Sequence, residues 1–158
     1  MADQTATLNA NYTEVLSAQQ RAATGFTHRF RIPYTEVYNA SQTTQGDTKT
    51  ITLGATPARY SVDRCMVDIP TAYATTGTLT VSVGTSANTA LLLAAVTAKT
   101  AAVLSAAAGN VPANKSEGTS AATLQVRFTT QASTGAISDI TAGDLYVYLR
   151  VVDVAALR

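Results

Sequence analysis

Alternation of apolar and polar side chains recurs along the chain from Phe26 onward. In TGTLTVSVG, the residues Leu79, Val81 and Val83 face one way and threonine and serine face the other. A period of two predicts a half-buried β-strand. Similar stretches, separated by turn-rich segments, are TKTITLG, ATLQVRFTTQ and DLYVYLRVVDV. Six or seven such strands predict a mainly all-β fold, an antiparallel β-sandwich or jelly-roll-like single domain over residues 26–158.

Two of the predicted strands carry informative irregularities. In FTHRFRIPYTEVY, the pattern puts Phe26 and Phe30 on an apolar side and Arg29 and Arg31 on the other. Proline has no N–H for a strand ladder, so we expect this strand to lie at an edge or to bend at Pro33. In ARYSVDRCMVDIP both sides are mixed, which predicts one face against the core and the other against a neighbouring surface.

Three segments do not alternate. Residues 1–25 are polar and are interpreted as an N-terminal arm, a candidate clamp in which TEVLSAQQRAA favours a short helix; a disordered tail is the alternative. The alanine- and leucine-rich segment near 88–98 favours a second short helix, which Asn88 or Thr89 would cap. A polar loop is predicted over 109–121.

Charged residues are scarce. The chain has 158 residues, enough for one domain with a real core, and 46% of them are hydrophobic. Only 13% are charged, about half the usual share. Solubility then depends on hydroxyl groups more than on charge, which suits a protein largely covered by neighbours.

The charge balance and the N-terminal sequence exclude several partners. The net charge is +1 with no block of lysine or arginine, so we expect neither nucleic acid nor a membrane as partner. The N-terminus has no signal-peptide pattern, and no apolar run reaches the length of a bilayer span. Synthesis in a cytoplasm is therefore expected.

Residues suited to catalysis or metal binding are few. The single histidine, His28, lies on the apolar side of its strand, where packing or hydrogen bonding is the simpler interpretation. The single cysteine, Cys65, is expected to be a small buried hydrophobe. A single histidine and a single cysteine are too few for the familiar sets of zinc ligands, and no phosphate-binding glycine motif occurs.

The close carboxylate pairs do not indicate catalysis either. Asp63 with Asp68, and Asp139 with Asp144, are each five residues apart, which puts the two members on opposite faces of a strand or one member in a turn. The sequence therefore predicts no enzyme, no metal and no cofactor.

Arginines and aromatic residues give the candidate contact surface. Arg29 and Arg31 share one face of their strand, which suits an oligonucleotide or an acidic protein partner, although a solvated strand face is the simpler interpretation. The last strand exposes residue types that interfaces favour. The candidate partner contacts are Tyr12, Arg21, Phe26, Arg29, Arg31, Tyr146, Tyr148 and Arg150.

The stretch GTLTVSVGTSANTALLLAAVTAKTAAVLSAAAG, followed by LQVRFTTQASTG and ITAGDLYVYLRVVD, resembles small structural proteins of tailed-bacteriophage virions. The likeness covers residues 60–153. It consists of the order of the segments: a strand that ends in glycine, an alanine-, leucine- and threonine-rich stretch, and a closing strand with alternating aromatic residues. It implies a capsid decoration (cement) protein on the head surface, with the major capsid protein as partner. It also implies a homo-oligomer, with a trimer favoured over a dimer. A head-completion, tail or fibre protein is the alternative.

A carbohydrate-binding β-sandwich is the alternative from a different class. Five tyrosines are candidates to stack on sugars: Tyr12, Tyr34, Tyr38, Tyr60 and Tyr73. The absence of tryptophan, a preferred stacking platform, weighs against this interpretation.

Overall fold

A computed structural model describes residues 3–56, 60–105, 122–131 and 135–153, and in them the predicted all-β sandwich is confirmed. Short helices α1 (Ala18–Thr24) and α2 (Tyr34–Val37), with 3-10 turns at Ala10–Tyr12 and Ile137–Asp139, join the strands. The predicted loop over 109–121 lies outside the described residues. The strands are β1 (Asp3–Thr7), β2 (Thr13–Val15), β3 (His28–Pro33), β4 (Thr48–Thr56), β5 (Tyr60–Ala74), β6 (Leu79–Thr85), β7 (Leu93–Thr97), β8 (Ala102–Ser105), β9 (Ala122–Thr130) and β10 (Ala142–Asp153).

The strands form two five-stranded sheets with jelly-roll topology. Sheet A has the order β1-β4-β9-β6-β7, and sheet B has the order β2-β3-β10-β5-β8. Only the β1–β4 pair is parallel among the described strands. Without the two N-terminal edge strands, the orders become 4-9-6-7 and 3-10-5-8. This alternation of the chain between two sheets is the double-sheet jelly roll.

The core lies between the two sheets and is built by the alternation seen in the sequence. Leu79, Val81 and Val83 of sheet A are fully buried, as are the inward residues of β10 in sheet B. The rings of Tyr73 and Phe128, one from each sheet, lie 5.2 Å apart. Burying each such side chain stabilises the fold by about 1.5–3 kcal/mol.

The N-terminal segment contributes to both sheets. β1 lies beside β4 at the edge of sheet A, and β2 lies beside β3 at the edge of sheet B. Between β2 and β3, α1 occupies part of the stretch expected to be helical. Ser17 caps it by accepting a hydrogen bond from the Gln20 amide, and Gly25 ends it in the left-handed region at φ 75°. The arm boundary at residue 25 stays a prediction.

The helix predicted near 88–98 is wrong. The segment turns back and pairs with β6 as the edge strand β7, with Leu93 opposite Val83. Leu92 and Leu93 are buried. Pairing with β6 and burial of these leucines outweigh the intrinsic helix propensity of alanine and leucine, which is worth only tenths of a kcal/mol per residue (about 0.7 at most).

The strand predicted over FTHRFRIPYTEVY is shorter than expected. It ends at Pro33, where the chain bends into α2. The bend expected at this proline is therefore observed, whereas an edge position is not, because β3 lies between β2 and β10. Pro33 is the last residue of the strand, so its missing N–H interrupts no central pairing.

A β-bulge explains the mixed pattern of ARYSVDRCMVDIP. The register between β5 and β10 shifts between the pairs Arg150–Arg64 and Val151–Val62. One extra residue in β5 leaves Asp63 and Arg64 exposed in succession, while Val62 and Cys65 are buried on either side. The bulge allows both parts of the strand to face the same core.

Candidate interaction surface

The outer face of sheet B gathers the arginines and tyrosines of two central strands. We call Arg29, Arg31, Tyr146, Tyr148 and Arg150 the Arg–Tyr face. Tyr146 lies opposite Arg31, and Tyr148 lies opposite Arg29, in the antiparallel pairing of β3 with β10. Because side chains alternate along each strand, the same two strands send their apolar residues into the core.

Ring contacts hold this face in a fixed arrangement. The Arg29 guanidinium lies 5.7 Å from the centre of the Tyr146 ring, and the Tyr146 and Tyr148 rings are 6.4 Å apart. Phe26 extends the cluster, with its ring 5.7 Å from that of Tyr148. Arg64 in turn lies 5.8 Å from the Phe26 ring. Such contacts are worth about 0.5–1 kcal/mol each at exposed sites.

Each arginine of the Arg–Tyr face has a carboxylate partner. Arg29 pairs with Glu14 of β2. Arg31 pairs with Asp144 at 2.9 Å, and its Nε also donates to both carboxylate oxygens at 3.0 and 3.1 Å. This hydrogen bond, with the charge of Asp144, raises the pKa of Arg31. Arg150 pairs with Asp63 at 3.5 Å. At such exposure, pairs orient side chains more than they stabilise the fold.

A shallow pocket of about 290 Å³ opens at one end of the face. We call it the Tyr12–Tyr146 pocket, after the two tyrosines that flank it. Its position follows from the chain path, because the 3-10 turn and β2 bring the N-terminal segment against β3. Its lining consists of Asn11, Tyr12, Glu14, Arg29, Arg31 and Tyr146.

The structure brings most of the predicted contact residues together. Four of them line the pocket, and Tyr148 and Arg150 continue the same face along β10. Arg21 lies apart on α1, near His28, whose pKa it helps to lower. Whether these residues contact a partner stays a prediction.

Phe26 does not lie on the apolar side with Phe30, so that expectation is wrong. The strand begins only at His28, after Gly25 has turned the chain in the left-handed region. Alternation therefore does not extend back to Phe26. Its ring packs instead on Tyr148, on the outer face of sheet B.

The carboxylates of this surface were not predicted as part of it. Glu14 lies in the segment interpreted as an arm, and Asp144 and Asp63 were considered only as pairs of neighbours in sequence. Their arginine partners lie between 15 and 113 residues away along the chain. Each carboxylate could be assigned to its arginine only from the register of the paired strands. No local sequence pattern reveals that register.

Three of the residues considered for catalysis are buried or make contacts within the fold. His28 is half-buried, its ring stacks 6.2 Å from Phe30, and its Nδ1 is 2.8 Å from the Thr27 hydroxyl. Burial raises the pKa of Cys65 to about 12. Asp139 accepts hydrogen bonds from Thr76 and from the Ala136 amide, which lower its pKa. In the part of the chain that the structure describes, no three metal-binding side chains cluster.

The outer face of sheet A has a different chemistry. Across β4, β9 and β6, its side chains are mainly threonine, serine and glutamine, and Arg127 pairs with Asp3 at 3.6 Å. The described strands of sheet A contribute no aromatic side chain to this outer face. Substitutions on the outer face of sheet A can therefore serve as controls for substitutions on the Arg–Tyr face.

These features define the class of the chain as a double-sheet jelly roll with an arginine- and tyrosine-rich outer surface. No helix in the described ranges is long and apolar enough to cross a membrane. No family model matches the chain, and no curated protein matches it. Among solved structures, it is similar to a chain of the capsid of Ralstonia phage GP4, with 19% identity over 79% of this chain and 84% of that one and a TM-score of 0.40.

Proposed function

We propose that this chain is a bacteriophage capsid decoration protein. It binds the outside of the head, bridges major capsid protein subunits, and acts as a homo-oligomer without performing catalysis. Besides the sequence resemblance over residues 60–153 and the Arg–Tyr face, two general observations support the proposal. Double-sheet jelly rolls occur in viral capsid domains, and the scarcity of charge suits a protein covered by neighbours.

The Arg–Tyr face is the observation that carries this proposal. Tyrosine and arginine are the residue types that most often dominate binding energy at protein interfaces. Here they lie on the two adjacent central strands β3 and β10 of one sheet. A protein that covers about 800 Å² on each side of a contact across a subunit boundary stabilises the bound shell by mass action.

Binding to undecorated heads tests this proposal. Heads of the encoding phage, prepared without this protein, are mixed with the purified chain and sedimented, and their resistance to heat and osmotic shock is measured. We expect binding and increased resistance. The double variant Tyr146→Ser/Tyr148→Ser should bind at least roughly tenfold more weakly, because each anchor contributes 1 kcal/mol or more.

Tyr38→Ser is the matched control, because Tyr38 is 44% exposed and lies outside sheet B. It should bind like the wild type. Failure of the wild-type chain to bind the heads, or to protect them, would reject the proposal. Labelled virions in the electron microscope separate the head role from a neck, tail or fibre role, since the label would then cluster away from the head.

A carbohydrate-binding role is the second candidate, and the Tyr12–Tyr146 pocket is the observation that favours it. Jelly rolls also occur in lectins, and the pocket combines two tyrosines with polar side chains. Two of the five tyrosines named as sugar platforms do not support it, because Tyr73 is buried in the core and Tyr34 packs against the core. Binding on a glycan array that Tyr12→Ser abolishes would favour this role over decoration.

A further inference from the structure

The Tyr12–Tyr146 pocket is rich in hydrogen-bond donors. Two of its three charged lining residues are arginines, and each guanidinium carries five N–H groups. Arg31 uses its Nε and Nη2 on Asp144, and Arg29 uses its Nη2 on Glu14 and also forms a hydrogen bond with the Tyr148 side chain. The Nη1 groups of both arginines take no part in the two ion pairs. With the tyrosine hydroxyls and the Asn11 amide, they suit an acceptor group such as a carboxylate.

Glu14 already places one carboxylate at this position. It lies on β2, a strand of three residues at the sheet edge that pairs only with β3 among the described strands. The side chains of Glu14 and Arg29 are each 39% exposed. Ion pairs at this exposure are worth about 0.2–1 kcal/mol, so a carboxylate from another chain can replace Glu14 at small cost.

We propose that the pocket binds an acidic side chain of the partner protein, which displaces Glu14 from Arg29. The identity of that partner as a capsid subunit rests on the proposed function, but the carboxylate chemistry of the pocket does not. Glu14 acts as an internal competitor that holds Arg29 in position until the partner arrives.

Charge on the surrounding surface favours a protein carboxylate over nucleic acid. Four carboxylates lie on or beside the Arg–Tyr face, and its three arginines, with Arg64 beside them, carry four positive charges, so this surface has no positive excess. A single acidic side chain enters the pocket without approaching all four carboxylates, whereas a phosphate chain would pass along the face and be repelled. These carboxylates are Glu14, Asp63, Asp68 and Asp144.

Peptide binding tests the proposal directly. Fluorescence anisotropy is measured at low ionic strength with three labelled probes: a C-terminally amidated five-residue peptide with one glutamate between glycines, the same peptide with glutamine in its place, and a four-residue thymidine oligonucleotide. We expect the glutamate peptide to bind, and both other probes to bind at least roughly fivefold more weakly. Salt should weaken the binding because the groups are exposed.

Variants separate displacement of Glu14 from general attraction. Glu14→Gln should bind the glutamate peptide roughly 1.5- to fivefold more tightly, because an exposed pair of this kind is worth about 0.2–1 kcal/mol, and Arg29→Gln should bind it more weakly by a similar factor. Arg127→Gln is the matched control, because Arg127 is 33% exposed, pairs with one carboxylate and lies in the other sheet. It should leave the affinity unchanged. Melting curves confirm that each variant is folded.

The outcomes distinguish this proposal from the proposed function. Unchanged or weaker binding by folded Glu14→Gln, or equal binding of the oligonucleotide, would overturn the carboxylate pocket even where the chain binds heads. The expected peptide results from a chain that does not bind heads would support the pocket and reject the capsid role.

Discussion

Burial decides what the single cysteine does. Cys65 is 3% exposed between core residues of β5, and the loss of solvation raises its pKa to about 12. The thiolate is the reactive form, and it is scarcely populated at neutral pH when the pKa is so high. The side chain therefore serves as a small apolar group in the core.

We predict that Cys65 resists alkylation in the folded chain. At pH 8, iodoacetamide should modify it over ~100 times faster in denaturant than in buffer, because both burial and the raised pKa disappear on unfolding. Mass spectrometry of the modified fraction over time measures the two rates. Equal rates would contradict the buried position.

We predict that His28 makes the fold less stable in mild acid. Burial, and then the charge of Arg21, lower the pKa of His28 below 6.5. The unfolded chain thus takes up the proton first as the pH falls, so the free energy of unfolding decreases below about pH 6.5 and levels off once the folded state is also protonated.

Melting temperatures between pH 7.5 and 5 measure this effect. His28→Gln should flatten the curve in this window, because glutamine does not titrate. Asp139 changes the stability in a separate pH range. Because its pKa is lowered in the folded chain, its contribution to stability is lost only below about pH 4. A curve that His28→Gln leaves unchanged between pH 7.5 and 5 would contradict the account.

At the scale of the elements, close approach of the backbone fixes the β6–β7 hairpin. A Cβ added to Gly84 would lie 2.1 Å from the backbone oxygen of Asn88 and 2.6 Å from the carbonyl carbon of Thr89. Neither backbone atom can move without disturbing the turn that leads into β7. Only glycine fits here.

We predict that Gly84→Ala destabilises the chain by about 2–3 kcal/mol, in the range of other overpacking changes. Urea unfolding followed by circular dichroism measures the loss. Ala87→Gly, in the same exposed turn, is the control and should change stability by less than about 1 kcal/mol. Equal stabilities of Gly84→Ala and the wild type would show that the hairpin has another conformation.

The strands could be predicted because their cause is local. Leu79, Val81 and Val83 alternate with hydroxyl residues, and this pattern alone puts one face in the core. The helix near 88–98 was predicted wrongly because the decisive interaction, pairing of Leu93 with Val83, is not local. The bulge at Asp63 and Arg64 likewise depends on the register with β10.

The same distinction applies to the candidate surface. Alternation along β3 and β10 identified the arginines and tyrosines of the Arg–Tyr face. It did not identify Glu14 and Asp144, because their places beside Arg29 and Arg31 depend on strand pairing between distant segments. Residue types were thus readable from the sequence, whereas the pocket that they form was not.

At the scale of the whole molecule, the sandwich exposes two chemically different faces. Sheet A is covered by hydroxyl and amide groups, while sheet B presents rings and guanidinium groups held by ion pairs. The account therefore predicts that the Arg–Tyr face of sheet B is covered in the virion.

Hydroxyl-radical footprinting of the chain on phage heads measures most directly whether the Arg–Tyr face is covered, with Tyr38, outside both sheets, as the internal reference. Oxidation of each tyrosine is quantified by mass spectrometry for the free and the head-bound chain. The account predicts that Tyr146 and Tyr148 are protected severalfold on binding, while Tyr38 is oxidised equally in both states. Bound chain in which Tyr146 and Tyr148 remain as reactive as in the free chain would contradict it.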